Sequence, residues 1–390
     1  MAIPWQQLVD SSLYVQAVTS RQPVNDARVE IISPGGAVVA TLGGPSATHP
    51  GVISGSVSCD GESAVRWTCD LTISNDALVP ESAGDLLHPL SHNLVRVWWR
   101  TLLADGMWGE VPVGTYYLDW PDVTDAGGAT VTMSVRGSDP VAELARNTWD
   151  TTLDVSGMNT AEAVRQIVRD RAPWAKVAIS PTDYTLPDEW EAGQPGGNPV
   201  DDILAIADAA GMVFYADRMG VLTLEPAPEP LSAPRLTFAE GPGARMTQIS
   251  AEVDLDRIAN AITLASSGRM EDESGNEMPP IVAYVEDDDP TSPLWVGHEH
   301  IYHRRFESDQ IQSQDQANRM AARLLDDYRA IVDTVAVTHF ARPELDPGDV
   351  IDLSTDRAKI SGPRQVTSWS LALGNLSGQI TNAAGRRGLT

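Results

Sequence analysis

The chain has 390 residues, which at usual domain sizes corresponds to about two to four domains. It has 54 acidic and 27 basic residues, so its formal net charge is −27 and its pI is about 4.4. Surfaces that bind nucleic-acid phosphates concentrate Lys and Arg, and this balance argues against such a surface. A hydrophobic content of 42% is ordinary for globular proteins, so each domain can bury a core.

The N-terminus and the two cysteines indicate where the chain folds. Residues 1–10 have neither a basic nor an apolar stretch, so they do not predict a signal peptide. No run of about 18 apolar residues predicts a membrane span. Cys59 and Cys69 flank a predicted turn at residues 60–63 without lying opposite each other, so we expect neither a disulfide nor a zinc site. We therefore expect folding in a reducing cytoplasm.

The first predicted domain, residues 1–148, has the pattern of a β protein. Short runs rich in β-branched and aromatic residues alternate with turns rich in Gly, Pro and Asp, which is typical of a barrel or sandwich. The predicted strands are residues 13–17, 28–32, 52–57, 65–73, 94–102, 114–118 and 130–135. The run Val97-Trp98-Trp99 is apolar on both faces, so we expect it to pack against a neighbouring element.

The second predicted domain, residues 149–234, is a small α/β module. Residues 161–172 have helical apolar spacing, with Asn159 as cap and Glu162 as its capping-box partner. A second helix begins after Asn198 and ends at Gly211. Two further segments complete the module: a hairpin of residues 212–216 and 221–224, and a Pro-rich linker at residues 226–234.

The third predicted domain, residues 235–390, is again mostly β. Its predicted strands are residues 246–253, 261–265, 334–340, 350–353 and 365–373. We expect a polar exposed loop at residues 266–293, a long helix at residues 309–329 and a small basic tail at residues 383–388. The helix has apolar residues at i, i+3 and i+4 spacing, namely Ala317, Met320, Ala321, Leu324, Leu325 and Tyr328.

Two segments resemble a known family. The first is VPVGTYYLDW at residues 111–120, followed by a glycine turn, a strand at residues 129–136 and a short helix starting at Asp139. The second is FARPELDPGDVIDL at residues 340–353, preceded by the long helix and followed by VTSWS at residues 366–370. Pro347 presets the first turn position, Gly348 accepts positive φ at the next, and Asp349 can accept hydrogen bonds from nearby amides.

These segments, together with the order of elements along the chain, resemble hub-type minor tail proteins of tailed bacteriophages. The resemblance includes actinobacteriophage minor tail proteins and, more remotely, the baseplate hub proteins of contractile tails. It implies a mainly β, α+β fold with two tail-tube-like β-barrel domains, an intervening α/β module and a long helix in the C-terminal half. The sequence departs from larger members in lacking a further C-terminal lytic or receptor-binding domain, so we expect other proteins to supply those roles.

The resemblance also implies a function and partners. Such a protein is a structural tail-tip hub of a siphovirus virion, assembled in the host cytoplasm as a homotrimer without stable membrane insertion. It joins the tail tube or distal tail protein to threefold tip proteins. It also lines the channel for the tape-measure protein and for DNA, which only passes through. The acidic balance agrees with such a wall, because like charge keeps DNA from sticking.

Two polar clusters could hold a metal ion. His298, His300 and His303 do not match a metalloprotease helix, because Tyr302 stands where the second histidine would be needed. His298 and His300 could still bind a metal from one face of a strand, but an exposed strand or loop is the favoured interpretation. The acidic run 286–289 could attract Ca²⁺, yet it lacks the spacing and glycine of an EF-hand loop.

The remaining catalytic candidates are weaker. Glu189 and Glu191, beside Trp190, could form a glycosidase carboxylate pair, whereas Asp201 and Asp202 are explained by a helix N-terminus. No nucleophile elbow, Walker loop or dinucleotide fingerprint is present in the sequence. We therefore predict no enzyme activity, catalytic residue, metal or cofactor. The alternatives left open are a tail-associated cell-wall-degrading enzyme and a receptor- or carbohydrate-binding tip protein.

Overall fold

The computed structural model describes residues 4–20, 23–44, 47–125, 131–187, 190–228, 233–241, 245–253, 258–266, 270–271, 277–292, 294–308, 314–329, 332–373 and 378–386. The chain forms two compact units. The first unit comprises Met1–Ile249 with Ala336–Ala383, and the second comprises Ser250–Val335 with Ala384–Thr390. Among the described residues, no helix combines the length and apolar character that crossing a bilayer requires.

The N-terminal part of the first unit has two short helices followed by eight strands. The helices are α1 (Trp5–Val9) and α2 (Ser12–Val18). The strands are β1 (Asn25–Ile32), β2 (Val38–Leu42), β3 (Val52–Asp60), β4 (Trp67–Ile73), β5 (Leu94–Leu102), β6 (Trp108–Leu118), β7 (Asp122–Asp125) and β8 (Val131–Ser138). Side chains of β4 alternate between core and surface, as expected for a strand with one buried face.

An α/β module follows in the same unit. Its elements are α3 (Pro140–Arg146), β9 (Leu153–Asp154), α4 (Thr160–Arg171), β10 (Val177–Ile179), β11 (Glu191–Ala192), α5 (Pro199–Ala209), β12 (Met212–Ala216) and β13 (Leu222–Pro226). The two predicted helix caps are confirmed, since Asn159 and Asn198 accept hydrogen bonds from the amides of Ala161 and Val200. Glu162, predicted to complete a capping box, instead pairs with Arg165.

The rest of the chain alternates between the two units. Its elements are β14 (Leu236–Ala239), β15 (Met246–Val253), β16 (Ala261–Ser266), β17 (Met270–Glu271), β18 (Glu277–Met278), β19 (Val282–Glu286), β20 (His303–Ser308), α6 (Gln314–Arg329), β21 (Val332–Phe340), β22 (Val350–Thr355), β23 (Ile360–Leu373) and β24 (Gly378–Arg386). The predicted long helix is confirmed from Gln314 onward, and residues 309–313 lie outside the described residues.

A large sheet organises the fold. Its strands follow the order β15-β21-β24-β23-β3-β4-β8-β6-β5-β1-β2, with β22 joining β14 to β23 and β7 pairing with β8. Most pairings are antiparallel, and the N-terminal strand β3 lies directly beside the C-terminal strand β23. The protein is therefore mainly β, as predicted, and its strands form a large and mostly antiparallel sheet. The division at residues 148 and 234 and the arrangement as two barrels stay predictions.

The second unit has its own core. Strand β16 pairs antiparallel with β19 and parallel with β20. The buried stripe of α6 packs on this sheet through Ala317 and Ala321 against Leu264 and Ala283. The predicted stripe of α6 is therefore confirmed.

Three further sequence predictions were wrong. Residues 13–17 belong to helix α2 rather than a strand, because Ser11 caps the helix and Tyr14, Ala17 and Val18 share its buried face. Residues 266–293, expected to be an exposed loop, contain strands β17, β18 and β19. Within the described residues, the expected basic tail at 383–388 begins inside strand β24 instead.

His339 is a buried histidine at the end of β21. Its Nε2 lies 2.8 Å from the hydroxyl of Thr381, and its Nδ1 lies 2.6 Å from the carbonyl oxygen of Phe340. A neutral ring satisfies both contacts, with Nδ1 donating and Nε2 accepting. Burial, opposed by the Phe340 hydrogen bond and assisted by Arg342, lowers the pKa of His339 to about 4.

We predict a stability change with pH that depends on His339. The unfolded chain binds a proton at this residue below its ordinary pKa, whereas the folded chain stays neutral. The free energy of unfolding therefore loses about 2 kcal/mol from this residue between about pH 7 and about pH 5. Urea unfolding of wild type and His339→Gln at both pH values measures the difference.

Comparing wild type with His339→Gln also cancels the contribution of Asp139, which changes the stability with pH in the opposite direction. Burial raises the pKa of Asp139 to about 6, despite hydrogen bonds from the Trp67 and Val141 amides that lower it. This residue favours folding as the pH falls from about 6 toward about 4, and it does so in both proteins. An equal pH dependence of wild type and His339→Gln would show that His339 is not buried in its neutral form.

Candidate functional site

The turn between β12 and β13, residues 217–220, places Arg218 in the interior of the first unit. The residue is only 4% exposed. Asp217 forms the turn, because one of its carboxylate oxygens accepts hydrogen bonds from the amides of Met219 and Val221, each 2.8 Å long. Burial raises the pKa of Asp217, while these two hydrogen bonds lower it. The turn is therefore held by its own backbone before any contact with the rest of the unit.

Arg218 is bonded to two segments that are distant in sequence. Its Nη1 donates to the carbonyl oxygens of Pro112, at 3.2 Å, and Pro343. Its Nη2 donates to the Leu345 carbonyl at 2.7 Å, and its Nε donates to Asp346 Oδ1 at 2.9 Å. Every guanidinium nitrogen of Arg218 therefore donates to the protein itself.

Two tryptophan rings and one carboxylate also lie close to the Arg218 guanidinium. Its guanidinium lies 5.3 Å from the ring centroid of Trp5 and 5.4 Å from that of Trp67. Burial acts to lower the pKa of Arg218, but Asp346 opposes it and the pKa is raised. Arg218 is therefore a fully paired cation at a junction of three segments.

Other side chains fasten the same turn to the N-terminal strands. Thr115 Oγ1 donates to the Arg218 carbonyl oxygen at 3.0 Å, and Trp67 Nε1 donates to the Ala216 carbonyl oxygen at 3.0 Å. Arg96 Nη2 donates to the Met219 carbonyl oxygen at 3.0 Å. The hairpin of the α/β module is thereby fixed against strands β4, β5 and β6.

The Pro-Gly-Asp turn predicted at residues 346–349 forms on the other side of Arg218. The Asp349 amide donates to the Asp346 carbonyl at 3.0 Å, and Gly348 has a φ of +96°. A positive φ at this position is the mark of a type II turn. Asp349 accepts from the Asp346 amide and from Arg235 Nη1, each at 2.8 Å, so its predicted role as an acceptor is confirmed.

A cavity of about 480 Å³ adjoins this junction. Its walls include Trp5, Arg66, Tyr215, Glu225 and Asp346. The guanidinium of Arg66 lies 3.8 Å from the ring centroid of Tyr215, whose hydroxyl donates to Glu225 at 2.6 Å. Burial and Glu225 raise the pKa of Tyr215, so its hydroxyl remains protonated near neutral pH.

The acidic side chains around this cavity are held by contacts within the protein. These carboxylates accept hydrogen bonds from protein donors, as described for Asp217, Glu225, Asp346 and Asp349. Cys59 also lines the cavity, and burial raises the pKa of its thiol well above the ordinary value. A protonated, buried thiol is a poor nucleophile.

The histidine cluster does not converge on one point. His298 ends a short 3-10 helix and lies edge-on to Trp295, and its carbonyl lies 3.0 Å from His300 Nδ1. His303 begins β20, where its Nε2 lies 2.8 Å from Thr263 Oγ1. Among the described residues, no group of three or more His, Cys, Asp or Glu side chains could hold a metal ion. All three histidines are exposed, which fits the favoured interpretation of an exposed strand or loop.

The acidic run 286–289 shapes a turn. Asp287 is buried, and its carboxylate accepts hydrogen bonds from the Asp289 amide and the Ser292 hydroxyl. Asp289 in turn accepts from the amide and hydroxyl of Thr291, at 2.9 and 2.8 Å. These hydrogen bonds are typical of local turn formation.

The carboxylate pair predicted beside Trp190 lies outside what the structure describes. Glu189 is outside the described residues, as is the side chain of Glu191. Trp190 itself has a local structural role, since its amide lies 2.9 Å from Ser156 Oγ and its carbonyl oxygen lies 3.2 Å from the same hydroxyl.

The other sequence candidates have structural roles. Asp202 accepts from Trp149 Nε1 at 2.7 Å and from the Gly193 amide at 2.9 Å, in the first turn of α5. Asp201 accepts from the Asn198 side chain at 3.2 Å. Cys59 lies opposite Trp67 and Cys69 opposite Val57, so the cysteines are not paired across the hairpin, as predicted.

The comparisons with known proteins identify related folds. No protein-family model and no curated protein sequence matches the chain. The tail protein from Neisseria meningitidis MC58 has a TM-score of 0.62 at 15% identity, covering 92% of this chain and 97% of that one. The 43 kDa tail protein of prophage MuSo2 from Shewanella oneidensis has a TM-score of 0.62 at 12% identity, covering 92% and 98%.

A third similar structure comes from a larger protein. A chain of the Francisella PdpA-VgrG complex has a TM-score of 0.58 at 9% identity, covering 95% of this chain and 59% of that one. At these identities the likeness concerns the fold. The chain has the fold of these tail proteins, and the predicted resemblance to phage tail proteins is confirmed at the level of the fold.

Sequence reasoning did not find Arg218. A single arginine in a hairpin turn is usually exposed, and its partners lie more than 100 residues away in both directions. The available signals were indirect, namely the Pro-Gly-Asp turn and the segment around Pro112. Both carry the family resemblance, and both contact Arg218.

We predict that Arg218→Met lowers the free energy of unfolding by about 3–5 kcal/mol, because it leaves Asp346 and three carbonyl groups without their donor. Arg136→Met is the matched control, since Arg136 pairs with Asp70 at 3.6 Å on the surface. We expect the control to change stability by less than about 1 kcal/mol. Guanidinium unfolding of the three proteins provides the values, and equal losses in both variants would contradict a special role for Arg218.

Proposed function

We propose that this chain is the structural tail-tip hub of a tailed phage of the siphovirus type. It acts as a homotrimer in the virion after assembly in the host cytoplasm. Each subunit supplies two tube-like barrels and joins the tail tube or distal tail protein to threefold tip proteins. The ring surrounds the channel through which the tape-measure protein and then DNA pass.

The observation that carries the proposal is the end-to-end likeness to two tail proteins. More than nine-tenths of this chain matches nearly the whole of each of them. A match confined to one module would suit many functions, because a small module recurs in unrelated proteins. A match over both units at once supports a role that uses the whole architecture, as the structural part of a tail does.

The internal pairing of charges is also consistent with a structural role. The buried ionisable groups of the first unit, such as Arg218, Glu344 and Asp139, are engaged with protein partners. Tyr14 donates to Glu344, for example, at 3.2 Å. Active sites instead keep perturbed groups available to a substrate in a cleft. This favours the structural interpretation over a tail-associated enzyme.

The formal net charge of −27 supports the proposed role as the wall of a channel for DNA. A channel that passes DNA has to avoid adhesion to phosphate, and an excess of carboxylates provides this through repulsion. The match to a chain of the PdpA-VgrG complex supports the proposal that this chain works as part of a larger assembly. The tape-measure and tip partners rest on the resemblance to the hub family.

The experiment is immunogold labelling of intact virions with antibody against this chain. We expect gold at the tail end distal to the capsid, at a stoichiometry of about three copies per particle by quantitative mass spectrometry against a tail-tube standard. Antibody against the tube subunit is the control and should label along the tail. Virions without this chain, or label on the capsid, would refute the proposal.

A further inference from the structure

A groove lies beside the β1–β2 hairpin in the first unit. Its volume is about 400 Å³. Apolar walls come from Val38, Leu94, Tyr117 and Trp174, and two cations, Arg96 and Lys176, line the same space. Trp174 packs edge-on against Tyr117, with 5.3 Å between ring centroids.

The apolar part of the groove is open to solvent. Val38 is 52% exposed and Trp174 is 44% exposed. Each lies next to a strand edge that is unpaired within the described residues. Strand β2 pairs only with β1 over Val38–Ala40, and β10, which begins just after Trp174, pairs only with β13. Exposed apolar side chains next to unpaired strand edges are typical of sites that another strand covers.

The charge of the groove is opposite to that of the chain as a whole. Arg96 donates to Thr115 Oγ1 and the Met219 carbonyl, and no described carboxylate lies within ion-pair distance of it. Burial lowers the pKa of Arg96, with Glu30 and Asp217 acting against this from farther away. Lys176 is exposed, and the groove's carboxylate, Glu143, pairs with Arg146 at 2.9 Å. The groove therefore favours an acidic occupant with apolar side chains.

A segment of this same chain has that chemistry. Residues 120–125 include Trp120, which is 63% exposed, and Val123, which is 46% exposed, with exposed Asp122 between them. Among the described residues, strand β7 of this segment pairs with β8 on one edge and with no strand on the other. The segment is opposite in charge to the groove and shares its apolar character.

Val123 of this segment lies well away from the groove of its own chain. Tyr117 in the groove lies opposite Ser138 of β8, whereas Val123 lies opposite Met133 of the same strand. Five residues along a strand correspond to about 17 Å. An occupant with this sequence must therefore come from a second copy.

We propose that the groove of one copy binds residues 120–125 of a second copy, so that copies associate head to tail. Because side chains alternate along a strand, Trp120 and Asp122 face one wall of the groove and Val123 faces the other. Asp122 then lies near Lys176 and Arg96, Trp120 covers Trp174, and Val123 covers Val38. Such a contact joins two different surfaces, and it closes into a ring when the rotation per copy allows. The inference rests on the proposed trimer, for which it supplies the interface.

Cysteine cross-linking tests the contact directly. The native thiols of Cys59 and Cys69 are buried, so a thiol introduced at the surface is the one that reacts. Val38→Cys and Val123→Cys are purified separately, mixed at high concentration and treated with a short bismaleimide. We expect a cross-linked dimer in the mixture and little in either variant alone. Val15→Cys, an exposed apolar position in α2, replaces Val38→Cys in the control and should give no product with Val123→Cys.

Charge reversal tests the electrostatic part. Lys176→Glu should weaken association about fivefold or more, as measured by light scattering over a dilution series, which corresponds to the upper value for an exposed ion pair. The chain has one other lysine, Lys359, which is also exposed, and Lys359→Glu should leave association unchanged. Adding Asp122→Lys to the Lys176→Glu protein should restore association, because the reversed charges then face each other.

The outcomes separate this inference from the proposed function. Trimers by light scattering, with no cross-link between the Val38→Cys and Val123→Cys variants, would overturn the groove contact and leave the tail hub intact. A monomer at every concentration, with no cross-link, also overturns it. Absence of the chain from virions would refute the hub whatever the cross-linking shows.

Discussion

The first unit depends on one buried ion, the guanidinium of Arg218. Removing such a group from water costs several kcal/mol, and the cost is recovered only when its donors are used with good geometry. Here carbonyl groups from β6 and from the segment before the Pro-Gly-Asp turn meet it, together with Asp346. The arrangement adds little net stability over an apolar contact, but it allows a single position for the three segments. A shift of one residue in any of them would leave a buried charge without partners.

The geometry around Arg218 explains why two separate segments carried the family resemblance. Pro112 and the residues before Pro347 look like independent strand and turn signals in the sequence. In the fold they are neighbours of the same side chain. The Pro-Gly-Asp turn fixes where the carbonyls of residues 343–345 point, and the turn formed by Asp217 fixes where the guanidinium points.

The sequence predicted the helix caps and turns, which depend on residues close together in the chain. Asn159 and Asn198 cap helices through amides two residues away, and the hairpin of β12 and β13 depends on a four-residue turn. The sequence did not predict the strands whose pairing partners lie far away along the chain. Strand β14 is recognisable only beside β22, more than 100 residues later, and β24 reads as a polar tail until Gln379, Thr381 and Ala383 are seen to be buried. The short window at residues 13–17 fits a strand as well as a helix, and the Ser11 cap and the burial of Tyr14 decide it.

The pairing of β3 with β23 has a consequence for synthesis. Residues 55–60 need residues 368–373 as partners, so roughly 300 residues must be translated in between. At ribosomal speeds of about 5–20 residues per second, the edge of β3 waits about 15–60 s for its neighbour. During that time Val57 and Cys59 lie on a strand with an open side, which other nascent chains can join. A polypeptide released before residue 368 keeps that side open permanently, so β23 closes the sheet only in chains whose translation has passed this point.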